Sequence, residues 1–260
     1  MSPAAREELA ALLAAARREG HQIHNLPPHL VPADAEEAYA VAFDVAARLG
    51  WEALGWKVAG TSDEMRRRLR MPEPILGRSF RRFACHSPAR FRHAELLDPL
   101  VEAEFFCILG RDLPPRATPY AEAELLDAVA AVHAGVELAE CRFPNAALPP
   151  FAAILADGSG NGRYVLGPAI PGWRGADLAG MAVEVSVNGR PRRQGSGAEV
   201  MDHPLRPLVW LANRLPGLGT WLRAGEWVST GTASGMLPVR AGDEVTVCFG
   251  GSLALELGFD

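Results

Sequence analysis

The first residues of the chain have apolar positions at helical spacing. An alanine-rich stretch with regularly spaced leucines predicts an amphipathic helix over residues 4–18. After a proline-rich break, the side chain of Asp34 can cap a second helix, which runs to Leu49 and stops at Gly50. Two later patterns of the same spacing predict helices over residues 121–133 and 204–215.

Most of the remaining chain has the pattern of strands. Six stretches rich in valine and aromatic residues are separated by glycine, proline or asparagine, as short strands are. They cover residues 55–60, 99–109, 163–168, 181–189, 226–231 and 243–259. Asn188 and Gly189 predict a hairpin turn, because both central residues of that turn need positive φ. Helices followed by a strand-dominated body predict an α+β fold with a curved, antiparallel or mixed sheet.

Charge and composition narrow the function classes. The chain has 260 residues and a formal net charge of −5, so it lacks the basic surface that nucleic-acid binding requires. Its densest basic run, four arginines within residues 66–70, is interpreted as a solvated face or the rim of an anion site. The four cysteines are far apart, which is typical of reduced thiols. No segment predicts a signal peptide or a membrane span, so we expect a soluble, cytoplasmic protein that binds neither nucleic acid nor membrane.

The motif with the most chemical content is V-E-A-E-F-F, residues 101–106. In a strand, alternate side chains share a face, so Glu102 and Glu104 project together. For an isolated E-x-E, the ordinary interpretation is a solvent-exposed strand face. The apolar flanks, and a third carboxylate, Glu137, in equally apolar company, favour a buried site instead. Three carboxylates make an all-oxygen site that suits Mg²⁺ or Mn²⁺ rather than zinc.

Lys57 is the only lysine of the chain, against twenty-five arginines. Three glutamates and one divalent ion sum to a negative charge, which would repel an anionic substrate unless a cation lay nearby. An amine also differs from a guanidinium because it can give up its proton when it is buried beside other charges. The alternative is a single surviving surface lysine in an arginine-rich chain, which composition alone does not exclude.

Six segments occur in an order that is typical of one known group of proteins. In chain order they read GWKVAGTS, VEAEFFCILGRDLP, AGVELAECR, LADGSGNGRYVLG, HPLRPLVWLANRL and LRAGEWVSTGTASGM. Over residues 35–259 the chain thereby resembles the 2-keto-4-pentenoate hydratases and 4-oxalocrotonate decarboxylases of the fumarylacetoacetate hydrolase superfamily. The related C–C hydrolases usually have aspartate as the third metal ligand and are less similar.

The resemblance implies a fold and a domain organisation. The expected fold is α+β, with a mixed, strongly curved β-sheet roll like the C-terminal domain of fumarylacetoacetase and an N-terminal helical segment. Residues 1–80 would form this N-terminal helical and αβ segment, and residues 81–260 the catalytic core of one continuous functional unit. The resemblance also implies a homo-oligomer.

The resemblance further implies a site and an activity. The family's metal ligands match Glu102, Glu104 and Glu137, and its active-site lysine matches Lys57. The residues that line its substrate pocket match Thr61, Ser62 and Thr232. With Mg²⁺ or Mn²⁺, such an enzyme would add water to a small-molecule 2-hydroxy-2,4-dienoate to give a 4-hydroxy-2-oxo acid. The expected setting is the catabolism of aromatic ring-cleavage products.

Two segments depart from the family pattern, and other activities stay open. An Asp in a P-D-[YF]-G context is replaced here by PEPILGR, residues 72–78, so no acid–base role is carried over to it. The common Asp-Asn pair is Asp157-Gly158 here. The main rival activity is decarboxylation of a 2-oxo dicarboxylic acid, whose second carboxylate would be held by arginines of residues 66–70 or by Arg78. A non-catalytic partner subunit and an unrelated β-type binding module are further alternatives.

Overall fold

The computed structural model describes residues 1–63, 66–67 and 71–260. Of the arginines considered as holders of a second carboxylate, Arg68 and Arg70 lie outside the described residues. No helix within the described ranges is both long enough and apolar enough to cross a lipid bilayer.

The second helix begins and ends at the residues that were predicted to cap it. In the described chain the helices are α1 (Pro3–Glu19), α2 (Ala35–Leu49), α3 (Glu122–Ala128), α4 (Phe151–Ala156) and α5 (Arg206–Arg214). The carboxylate of Asp34 accepts a hydrogen bond from the backbone N–H of Glu37 (2.9 Å) at the start of α2. The same helix ends at Gly50 in the left-handed conformation, with φ of 61°. Both predicted boundaries of α2 are therefore confirmed.

The strands of the described chain form two sheets. They are β1 (Ala53–Ala59), β2 (Ile75–Phe80), β3 (Ala84–His86), β4 (Ala89–Phe91), β5 (Leu100–Leu109), β6 (Val129–Ala139), β7 (Arg163–Ala169), β8 (Ala182–Val187), β9 (Arg190–Ser196), β10 (Trp227–Thr232), β11 (Leu237–Pro238), β12 (Glu244–Phe249) and β13 (Leu253–Phe259). The larger sheet has the order β2-β1-β10-β5-β6-β7-β3, with β11 also paired to β5, and the smaller has the order β4-β13-β12-β8-β9. Parallel pairs (β1–β10, β3–β7, β4–β13) occur among antiparallel ones. The predicted α+β fold with a mixed, curled sheet and an N-terminal helical segment is confirmed.

The predicted helix over residues 121–133 is wrong in its second half. Helix α3 ends at Ala128, and Val129 begins β6. Strand β6 is paired with β5 along nearly its whole length and with β7 on its other side. Backbone hydrogen bonds to two neighbouring strands outweigh the local helical spacing of apolar residues, which carries no information about these distant partners. The hairpin at Asn188 and Gly189 is confirmed, with φ of 51° and 73°.

Strand β5 separates two apolar regions. On one face, the ring of Phe105 meets the ring of Phe249, from the second sheet, edge-on at 5.2 Å. On the other face, Phe106 lies 6.1 Å from Tyr164 in a smaller buried cluster. The alternation along β5 places Glu102 and Glu104 on the same side as Phe106. The two glutamates therefore face away from the main core. They lie on β5 between its first residues and Phe106 of the smaller cluster.

Helix α1 is tied to the body of the protein by a buried ionic cluster. Asp157 (1% exposed) lies between two buried arginines, with Nη2 of Arg17 at 3.3 Å and Nε of Arg142 at 3.0 Å from its carboxylate. Burial and the nearby charge of Arg142 lower the pKa of Arg17 to about 10. The division of the chain at residue 80 stays a prediction, and strands β1 and β2 from the first part belong to the same sheet as β5 and β6.

Replacement of Asp157 by alanine leaves two like charges buried without a counter-charge. We expect Asp157→Ala to lower the free energy of unfolding by about 3–5 kcal/mol in urea titrations. The matched control is Asp44→Ala, which removes an exposed ion pair with Arg6 and is expected to cost less than about 1 kcal/mol. Equal losses for the two variants would contradict the prediction.

Candidate active site

Three carboxylates are brought together by the register of two antiparallel strands. Glu102 of β5 lies directly opposite Glu137 of β6, and opposed residues of such strands share a face with neighbouring Cβ atoms. Glu104, two residues on, lies on the same face. One oxygen from each carboxylate lies within 4.8 Å of those of the other two. All three side chains are buried, at 5%, 1% and 0% exposure in sequence order, so the solvent-exposed interpretation of the motif is wrong.

Lys57 reaches this cluster from strand β1. Its Nζ lies 3.4 Å from Oε1 of Glu137, and only 2% of the residue is exposed. Strand β1 is three strands from β6, which in a flat sheet would be about 14 Å. Because side chains stand roughly perpendicular to a sheet, the two groups meet only where the sheet curls. The alternative of a surface lysine is therefore excluded.

Three hydrogen bonds fix the carboxylates, and none was predicted from the sequence. The hydroxyl of Tyr164 donates to Oε1 of Glu137 (3.4 Å), and the hydroxyl of Ser229 donates to its Oε2 (3.5 Å). The backbone N–H of Gly231 donates to Oε2 of Glu104 (3.0 Å). The S-T-G-T segment contains both Ser229 and Gly231 and was a usable signal. Tyr164 carried no signal, because its position opposite Glu137 depends on the register of β7.

Gly231 allows the close approach that the site requires. Its φ is 103°, which other residues rarely adopt. A Cβ atom added there would lie 2.4 Å from Oγ1 of Thr61. The absence of a side chain thus lets β10 donate to Glu104 while Thr61 packs against its other side.

Burial and mutual repulsion make the ionised carboxylates unfavourable. Burial raises the pKa of Glu102 to about 7, against the opposing effect of Lys57. The pKa values of Glu104 and Glu137 are also raised, mainly by burial, and that of Glu104 well above its ordinary value. Burial lowers the pKa of Lys57, but the attraction of Glu137, Glu102 and Glu104 outweighs this, and the net shift is upward. The upward shift in the pKa of Lys57 favours its role as a nearby cation, one of the two roles that the sequence suggested.

The donor set fits a hard divalent cation. One ammonium group faces three buried carboxylates, so the ionised cluster keeps a net negative charge. Oxygen ligands without nitrogen or sulfur are those that Mg²⁺, Mn²⁺ and Ca²⁺ prefer. Glu102, Glu104 and Glu137 could therefore hold a metal ion of this class.

A cavity of about 790 Å³ opens beside the cluster. Its lining includes Lys57 and Glu102 together with all three residues that were predicted to line the substrate pocket, namely Thr61, Ser62 and Thr232. The structure thus brings the predicted lining residues to the same space as the lysine and one carboxylate.

Two of the arginines considered for a second carboxylate are committed to other partners. Arg78 is opposite Trp56 in the β1–β2 pair, so it lies on the face away from Lys57. There its guanidinium is 4.4 Å from the centre of the Trp56 ring and 2.8 Å from Glu226. Arg66 donates to the carbonyls of Gly60 and Thr61 through Nη1.

The cluster should bind metal measurably in the purified protein. We expect Mg²⁺ or Mn²⁺ near a hundred times its Kd to raise Tm by about 5 °C or more, since binding then stabilises by about 2.7 kcal/mol. In Glu102→Gln, which removes one of the three carboxylates, the rise should be lost. Glu226→Gln alters an equally buried glutamate on the opposite face and should keep the rise. Calorimetric scans with metal and with EDTA measure this, and a full rise in Glu102→Gln would refute it.

Comparison with known proteins gives consistent matches. Residues 93–258 match the model of the fumarylacetoacetate (FAA) hydrolase C-terminal family. The chain is 32% identical to a 2-keto-4-pentenoate hydratase of Paraburkholderia xenovorans (strain LB400), over 94% of this chain and 90% of that protein. It is 26% identical to a 4-oxalocrotonate decarboxylase of Pseudomonas putida, over 91% of this chain and 89% of that protein.

A solved structure shares the whole fold. It is that of 4-oxalocrotonate decarboxylase from Pseudomonas putida G7 complexed with magnesium and adipate, with a TM-score of 0.91 over 100% of this chain and 99% of that chain. The sequence identity of that pair is 24%, so the likeness concerns the fold. The family match over most of the chain, with 32% identity to a relative along nearly its full length, shows that this chain belongs to the fumarylacetoacetate hydrolase family.

Proposed function

We propose that this chain is a metal-dependent hydratase that adds water to a 2-hydroxy-2,4-dienoate and releases a 4-hydroxy-2-oxo acid. The observation that carries the proposal is the buried cluster of three glutamates and one lysine beside a large cavity. The relatives named 2-keto-4-pentenoate hydratase, at about one-third identity along most of the chain, support this reaction. The corresponding setting is the catabolism of aromatic ring-cleavage products.

Glu102, Glu104 and Glu137 would hold Mg²⁺ or Mn²⁺ through carboxylate oxygens. When bound, the ion would supply Lewis-acid polarisation to the substrate's carboxylate and adjacent oxygen. Tyr164 and Ser229 hold the carboxylate of Glu137 from two sides, and the N–H of Gly231 holds that of Glu104. Such supporting hydrogen bonds fix the direction in which ligand oxygens point.

Lys57 acts on the charge that develops in the substrate. When the 2-hydroxyl proton leaves and a proton is added at carbon 5, the dienol becomes an enone with its double bond between carbons 3 and 4. The ammonium group of Lys57 stabilises the negative charge on the 2-oxygen during this transfer. The oxygen of water then bonds to carbon 4, and a proton is added to carbon 3, which yields the 4-hydroxy-2-oxo acid. Thr61, Ser62 and Thr232 line the cavity, where they can orient the substrate.

The activity can be measured by the ultraviolet loss of 2-hydroxypenta-2,4-dienoate with Mg²⁺ or Mn²⁺ and then with EDTA. We expect metal-dependent loss without release of CO₂. Release of CO₂ from an oxalocrotonate-type dicarboxylic analogue would move the assignment to a decarboxylase. No turnover of either compound by the metal-loaded protein would refute the proposed substrate class.

Lys57→Met tests the lysine separately from the metal. The variant removes the positive charge at similar length, and we expect kcat to fall by roughly a hundredfold or more. The metal-dependent rise in Tm should persist, since the three carboxylates remain. Arg223→Met removes an exposed cation elsewhere and should leave kcat unchanged. Wild-type kcat in Lys57→Met would exclude a catalytic role for Lys57.

A further inference from the structure

We propose, on the basis of the hydratase function above, that the outer part of the cavity is an apolar subsite for a substituent on the substrate. The preferred substrates are then 2-hydroxy-2,4-dienoates that carry an alkyl or aryl group at carbon 5 and no second carboxylate. The residues that define this outer apolar subsite are Ile75, Leu100, Leu148, Phe151, Ile154 and Met236.

The part of the cavity lining formed by β5 and β6 changes from charged to apolar between one pair of opposed residues and the next pair on the same face. On the carboxylate face, the next opposed pair after Glu102 and Glu137 is Leu100 and Ala139. Two residues along a strand span about 6–7 Å, roughly the distance from the carboxylate of a dienoate to its far end. A substituent at carbon 5 would therefore reach Leu100 and Ala139 once the carboxylate end lies at the cluster.

The part of the cavity lining formed by β1 and β2 also changes from charged to apolar, next to Lys57. Lys57 is opposite Gly77, and the next pair on that face is Ala59 and Ile75. Helix α4 adds Phe151 and Ile154, which are three residues apart and hence on one helical face. Three independent elements thus present apolar side chains to the same outer space.

The mouth of the cavity exposes apolar surface that a bound substituent would cover. Leu148 (50% exposed) and Met236 (42% exposed) are the exposed large hydrophobic residues of the described chain, and both line this cavity. Apolar side chains concentrated at the rim of a pocket mark a binding surface more often than scattered ones do.

The size of the cavity also exceeds what a five-carbon acid needs. Its volume of about 790 Å³ lies within the range of about 300–1,000 Å³ in which proteins bury drug-sized ligands. A pentadienoate at the carboxylate cluster would leave much of this volume filled by water, whereas a longer apolar substrate would displace that water.

Charge in the cavity disfavours a second carboxylate. Among the described residues that line it, Lys57 is the cation, and it already faces the three glutamates. The lining also includes buried Glu140 and exposed Glu199, which would repel a carboxylate. Glu140 is itself bound by the N–H of Leu97 (2.8 Å) and lies 3.3 Å from Arg163.

Calorimetry with unreactive 2-oxo acids tests the subsite in the Mg²⁺-loaded protein. The three probes are 2-oxopentanoate, 2-oxooctanoate and 2-oxooctanedioate. We expect 2-oxooctanoate to bind at least about tenfold more tightly than 2-oxopentanoate, because each buried methylene contributes roughly fourfold in affinity. The dicarboxylic acid should bind no more tightly than 2-oxopentanoate. Turnover of 2-hydroxy-2,4-dienoates with and without a propyl group at carbon 5 should follow the same order in kcat/KM.

Variants at the rim separate charge from apolar contact. Leu148→Arg should tighten binding of 2-oxooctanedioate about tenfold and weaken that of 2-oxooctanoate. The neutral control Leu148→Gln should weaken 2-oxooctanoate without the gain for the dicarboxylic acid. Phe151→Ala should weaken 2-oxooctanoate and leave 2-oxopentanoate unchanged.

Equal affinities for the two monocarboxylic acids, or tightest binding of the dicarboxylic acid by the wild type, would overturn the subsite while leaving the hydratase function standing. Failure of all three acids to bind to the Mg²⁺-loaded protein would refute the proposed function, and the subsite with it.

Discussion

Three buried carboxylates repel one another, and in this fold a single ammonium group meets them from across a curled sheet. Glu102 and Glu137 are opposed in one pair of strands, and Nζ of Lys57 lies 3.4 Å from Glu137 although its strand is three positions away in the sheet. The cost of burying these charges appears as raised pKa values of the glutamates. Strand register and sheet curvature hold this cluster together, and its three carboxylates offer the oxygen ligands that a divalent cation prefers.

Close packing around the cluster depends on two glycines besides Gly231. At Gly77, opposite Lys57, an added Cβ would lie 2.1 Å from the carbonyl oxygen of Gly158 and 3.3 Å from Cγ of the lysine. At Gly135, opposite Glu104, it would lie 2.7 Å from the ring of Phe106. The stem of Lys57 and the ring of Phe106 therefore each pack against the backbone of a glycine.

Sequence patterns predicted those parts of the site that depend on local spacing. The alternation of Glu102 and Glu104 gave their common face, apolar flanks gave their burial, and the rarity of lysine drew attention to Lys57. Tyr164 could not be assigned in this way, because its position depends on the register of β6 and β7. The S-T-G-T segment drew attention to Ser229, but local spacing does not show that it meets Glu137, 92 positions away in the chain. Local spacing likewise does not show that residues 129–133 pair with a strand on either side, and these pairings make them a strand instead of a helix.

The parallel pairing of β1 with β10 joins Trp56 to Val228, which lies far away in the chain. During synthesis, Lys57 therefore leaves the ribosome long before the strand that lies between it and the carboxylates exists. The glutamates of β5 and β6 can pair early, since the two strands are neighbours in sequence and in the sheet. The lysine can take its final place beside them only once β10 has been made. A chain that ends between residues 140 and 226 therefore contains every charged group of the site but not the strand that sets their spacing.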